Sequence, residues 1–138
     1  MKYALLTFAF LFVGFAQAQK ETKPTTGLKF TTLEIVRENI PYDSKDMFVF
    51  EFKNVSKKSI TVSNVQTSCG CTAAEKPTEP IKKGKKGAIK VTYDTKRVGA
   101  FTKTITVSSN VSEPIILTIK GSVLPDAPIN VAPATNEN

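Results

Sequence analysis

The sequence predicts an all-β, immunoglobulin-like sandwich of two sheets and about seven strands, on three observations. Apolar residues recur at every second position, turn-forming clusters interrupt them every ten residues or so, and no stretch shows the spacing of an amphipathic helix. A closed barrel is the competing all-β architecture. The likeness to antibody domains is one of architecture only, because Trp is absent and the two cysteines stand one residue apart.

The first segment reads as an export leader. Lys2 supplies the positive start, residues 4–15 an apolar run, and Ala16-Gln17-Ala18 a small-x-small cleavage site, so residues 1–18 are expected to be a signal peptide cut before Gln19. A membrane anchor would need about 20 apolar residues, and Gln17, Gln19 and Lys20 interrupt too early. Periplasmic or secreted localisation follows as an expectation, with no membrane span in the mature chain and an oxidising environment for the thiols. Residues 19–27 are polar, contain Pro24, and read as a flexible lead-in.

The domain is expected over residues 28–124. Residues 28–36 alternate weakly. Residues 47–54 alternate strictly, with Phe48, Phe50 and Phe52 on one face and Val49, Glu51 and Lys53 on the other. Residues 59–65 form a weaker strand and residues 71–75 a short one. Residues 87–93 set Ile89, Val91 and Tyr93 against Ala88, Lys90 and Thr92; residues 101–107 set Phe101, Ile105 and Val107 against Thr102, Thr104 and Thr106. Residues 115–123 turn Ile115, Leu117, Ile119 and Val123 inward. Turn signals fall at 54–58, 83–87, 98–99 and 110–114. The tail, residues 125–138, carries Pro125, Pro128 and Pro133 without pattern and is expected to be disordered.

Composition bounds the function. Hydrophobic residues make up 41% and charged residues 22%, which are ordinary globular values. The net charge of +7 favours anionic partners without naming one. Histidine is absent, which removes the commonest general base and the commonest metal ligand together.

In order, Phe50-Glu51-Phe52-Lys53-Asn54, Ser68-Cys69-Gly70-Cys71-Thr72, Pro80-Ile81 with Gly84, the run from Ile89 through Thr95 and the run from Gly99 through Val107 resemble the bacterial family called domain of unknown function 1573. The resemblance covers roughly residues 33–123 and departs at Ser59 and Lys83, where the family often has proline. It implies an exported immunoglobulin-like module, distantly similar to the sperm-protein-like and Hydin-type binding platforms, with no known catalytic activity.

Cys69 and Cys71 are the candidate site. In an extended strand, residues two apart share a face, which puts their Cα atoms about 6.5 Å apart. That is near the upper limit for a disulfide, so a bridge would be strained unless Gly70 bends the chain. Three readings stay open: a packing or structural pair, a thiol-dependent redox pair, and a soft-metal site for copper with Met47 as the remaining sulfur ligand. A structural zinc site takes four ligands, so the two cysteines would need carboxylates or another subunit to complete it, and no metal or other cofactor is assigned.

Lys82, Lys83, Lys85 and Lys86 around Gly84 form a basic knob that reads either as a solvated hairpin turn or as an anion contact. The expected partner is a protein or an anionic envelope component rather than nucleic acid, since no aromatic residues interleave the lysines. Asn54-Val55-Ser56 and Asn110-Val111-Ser112 match the glycosylation sequon but fit turns. Glu75 and Glu79 are the acids nearest the cysteines, and no nucleophile accompanies them. The reading is a non-enzymatic binding or structural module of the cell envelope. An edge strand such as residues 59–65 would recruit a partner by strand addition.

Overall fold

The computed structural model describes residues 27–126, so the expected leader and most of the lead-in and tail lie outside the described residues. Eight strands form: β1 (Leu28–Phe30), β2 (Glu34–Ile40), β3 (Met47–Asn54), β4 (Val62–Thr67), β5 (Thr72–Glu75), β6 (Lys86–Tyr93), β7 (Gly99–Ser109) and β8 (Ile115–Val123). One sheet has the order β1-β3-β6-β5 and the other β2-β8-β7-β4, giving two open sheets rather than a closed barrel. No helix forms among the described residues.

Period-two patterning decides what is buried. Along β3 the side chains alternate without a break, and Phe48, Phe50 and Phe52 are dry. They meet Ile89 and Val91 of β6 and, from the facing sheet, Ile105 and Val107 of β7 and Leu117 and Ile119 of β8. Tyr93 stacks on Phe101 with ring centroids 3.9 Å apart, closing the core at one end. Each such side chain contributes roughly 1.5–3 kcal/mol on burial, which makes this layer the main source of stability.

The structure has one more strand than the sequence predicts, because residues 28–36 divide between the sheets. Thr31 N–H still donates to Glu51 O of β3, whereas Leu33 O already accepts from Thr118 N–H of β8. Between them the Thr32 hydroxyl donates to Glu34 O at 2.7 Å and turns the chain. β2 then runs parallel to β8 while every other pairing is antiparallel. Gly121 permits that approach, since a Cβ there would lie 2.0 Å from Arg37 O.

The segment read as a strand over residues 59–65 is also shifted. Ile60 makes a single bridge to Ile81 on the first-sheet side, and only from Val62 does the chain pair with β7. The alternation holds from Ser59 to Ser63 and breaks at the irregularity between Val62 and Asn64, within which the chain changes partners.

Two substitutions test this packing by different mechanisms. Phe50→Ala empties the centre of the sandwich and is expected to cost about 3–5 kcal/mol in chemical denaturation. Gly121→Ala drives a methyl group into a backbone carbonyl and is expected to cost about 1–3 kcal/mol, whereas Gly70→Ala, with open space around it, stays near wild type.

Candidate functional site

Cys69 and Cys71 lie where the chain leaves the second sheet at the end of β4 and enters the first at β5. The crossing is held on both sides: Ser68 N–H donates to Thr104 O at 3.0 Å, and Asp94 N–H donates to Cys71 O at 2.9 Å. Within it the Thr67 hydroxyl donates to Cys69 O at 3.1 Å. The two cysteines form a disulfide with Cα atoms 5.3 Å apart. The expected spacing of about 6.5 Å assumed an extended strand, and the bend between sheets brings it into the usual range.

Both sulfurs are half-buried, and Cys71 packs against the core. Thr72 Oγ1, itself buried, lies 3.6 Å from Cys69 Sγ and 3.9 Å from Cys71 Sγ. With the sulfurs joined, neither is a thiolate for a soft metal, and thiol exchange would start from attack on this disulfide by an outside thiolate. No cluster of three or more Cys, Asp or Glu ligands forms among the described residues. Glu75 and Glu79 are both exposed, with Glu75 opposite Lys90 on the next strand.

The basic knob lies at the other end of the sandwich. Lys85 N–H donates to Lys82 O at 3.0 Å and Gly84 has φ 76°, which is a type II turn rather than a tight hairpin, since ten residues separate β5 from β6. Asn54 anchors it. Its backbone N–H donates to Lys85 O and its carbonyl accepts from Gly84 N–H, both at 2.9 Å. The side-chain Nδ2 donates to Lys58 O at 2.8 Å and Ile81 O at 2.7 Å, while Oδ1 accepts from Ser56 N–H and hydroxyl. Asn54 is fully buried, so its sequon match carries no accessible acceptor. Its role as an anchor was not read from the sequence, although the parity of β3 places position 54 on the dry face.

The sheet edges supply a third feature. β1, β2, β4 and β5 are the four edge strands. β1 carries Lys29, β5 carries Glu75, and β2 carries Glu34, Arg37 and Glu38 along an irregular register. β4, Val-Ser-Asn-Val-Gln-Thr, carries no charge. Because Ser68 N–H points to β7, register parity turns the backbone groups of Val65 and Thr67 away from the sheet. Lys76 Nζ donates to Val62 O at 2.9 Å and covers the start of this edge.

Comparison with known proteins agrees with this architecture. A family model described as "Protein of unknown function (DUF1573)" matches residues 28–123. No curated protein matches the chain in sequence. Among solved structures, the chain is similar to the ASH/PapD-like domain 7 of human CEP192, with a TM-score of 0.62 and 7% identity over 84% of this chain and 98% of that one. A protein of unknown function from Porphyromonas gingivalis W83 gives 0.60 and 13% identity over 71% of this chain, which spans 46% of that one. The VesB protease of Vibrio cholerae gives 0.55 and 12% identity over 70% of this chain and only 32% of the protease. At these identities the likeness is one of fold.

The disulfide closes a very small ring, so its constraint on the unfolded chain is modest. The double variant Cys69→Ser/Cys71→Ser is expected to fold and to lose on the order of 1–2 kcal/mol, read by thermal or urea unfolding with the wild type under reductant as control.

Proposed function

Since the chain belongs to the family of proteins of unknown function DUF1573, which matches residues 28–123, we propose that it is an exported, non-enzymatic binding module of the bacterial envelope, holding an extended segment of a protein partner by strand addition. The observation that carries this reading is the uncharged edge of β4. Natural sheets protect their edges with charges, bulges or short strands; β1, β2 and β5 carry charged residues, whereas β4 carries none and has a register irregularity only at its start, between Val62 and Asn64. Beyond the irregularity at Val62–Asn64 and the Lys76 contact on Val62 O, register parity turns the backbone groups of Val65 and Thr67 away from β7. An added strand would take those groups as hydrogen-bond partners, with alternate side chains giving specificity.

The polar interior supports a binding role over chemistry. Asn54 and Thr95, two of the three buried polar side chains among the described residues, are spent on loop carbonyls, and the third, Thr72, lies against the disulfide. No buried acid, base and nucleophile converge among the described residues. Export is supported by the leader pattern of residues 1–18.

A photo-crosslinking side chain at Gln66, which is exposed on β4, is expected to capture a partner in cells. In the recovered complex the amides of Val65 and Thr67 become protected from hydrogen exchange while the ladder amides facing β7 are unchanged. Protection confined to another surface would sink strand addition at β4. The mass of the exported protein is expected to begin at Gln19, and a full-length chain retained in the cytoplasm would overturn the export part.

A further inference from the structure

Register places three lysines in a row across the first sheet. Lys29 of β1 lies opposite Lys53 of β3, and Lys53 lies opposite Lys86 of β6. All three are exposed on the outer face, while their strand neighbours Leu28, Phe52 and Asn54 point into the core. Directly opposed side chains on antiparallel strands have Cβ atoms about 4.5–5.5 Å apart, and like charges there are destabilising. The row therefore carries a cost that folding alone does not explain.

Its charge is also uncompensated. Among the described residues no carboxylate lies in ion-pair range of Lys29, Lys53 or Lys86; the four ion pairs present use Arg37, Lys96, Arg97 and Lys120. Lys82, Lys83 and Lys85 extend the positive field, because Asn54 holds their turn against the end of β3. Beside the row is an open groove of about 370 Å³, to which Phe30, Thr31 and Phe52 contribute, with Glu51 its only acid. Phe30 packs against Phe52 with centroids 5.2 Å apart on the inner face, so the side chains that the groove presents on the outer face are the lysines, Thr31 and Glu51.

We propose that this face binds an anionic polysaccharide chain lying across the strands, with its acidic groups on Lys29, Lys53 and Lys86. The row spans two inter-strand steps, about 10 Å, so it meets repeated charges and not a single ion. It crosses the strands at right angles, so a chain lying along it does not run beside the β1 edge as an added strand would. The groove's outer-face side chains are lysines, Thr31 and Glu51, and Phe52 is turned into the core, so a flat bilayer would find little apolar surface in it. A glycan fits these limits, since its hydroxyl groups remain solvated in an open groove. The site rests on the binding-module reading only in where such a ligand would be met, and it is independent of the β4 edge.

The test titrates the purified protein, with no protein partner present, against dextran sulfate, neutral dextran, poly-L-glutamate and phosphatidylglycerol vesicles. Dextran sulfate is expected to bind and neutral dextran not, with affinity falling about tenfold or more from low to physiological salt. Lys29→Gln/Lys53→Gln/Lys86→Gln is expected to weaken binding at least tenfold and to unfold no earlier than the wild type, because it relieves like-charge repulsion. Lys45→Gln/Lys96→Gln/Lys103→Gln removes the same charge elsewhere and is expected to leave affinity within twofold. Unchanged affinity in the first variant, or an equal loss in the second, would overturn the site. Equal binding to poly-L-glutamate or to the vesicles would overturn the polysaccharide assignment, and none of these outcomes bears on strand addition at β4.

Discussion

The two-residue repeat of β3 is the constraint on which the rest of the domain depends. A strand that puts Phe48, Phe50 and Phe52 on one face can fold only if a second apolar layer covers that face. β7 and β8 provide it with Ile105, Val107, Leu117 and Ile119, and the polar alternates of these strands face outward or lie half-exposed. The same repeat then places Asn54 inside. A buried amide must have partners, and Asn54 finds them in the carbonyls of Lys58 and Ile81 and the N–H and hydroxyl of Ser56. One polar residue on the dry face thereby fixes two loops that are otherwise joined only by the Ile60–Ile81 bridge and a few turn bonds.

That anchoring polarises the molecule. One end collects the lysine-rich turn and the row on β1, β3 and β6; the opposite end holds the disulfide crossing and three of the four ion pairs, Arg37–Asp46, Lys96–Asp43 and Arg97–Asp94. These exposed pairs add little stability individually. Their effect is on the field: acids at one end neutralise their own cations, while Lys29, Lys53, Lys82, Lys83, Lys85 and Lys86 gather at the other.

The disulfide belongs to this mechanical account. The bond joins residues where β4 hands the chain to β5, beside hydrogen bonds to Thr104 and from Asp94 that already hold the crossing. It restrains a short bend between two sheets that also meet directly along β4 and β5. Cys71 supplies apolar surface at the core margin, which is how half-buried cysteine commonly behaves.

The amino-acid sequence by itself determined the all-β class, the two-sheet arrangement and the inward residues of β3, β6, β7 and β8, where side-chain direction follows position parity; Leu28, Ile40, Ile60 and Val62 were not legible in it. It also carried the adjacency of Cys69 and Cys71, which lie one residue apart. Only the tertiary structure decided where a strand changes partners. Residues 28–36 read as one strand, yet they serve two sheets, since the switch at Thr32 depends on which carbonyl is within reach. The Cα separation of the cysteines was set by the bend between sheets, and the anchoring role of Asn54 by loops distant from it in sequence. The row of Lys29, Lys53 and Lys86 is the clearest case: each is an ordinary exposed strand lysine in sequence, and they become one site only because antiparallel register sets them side by side.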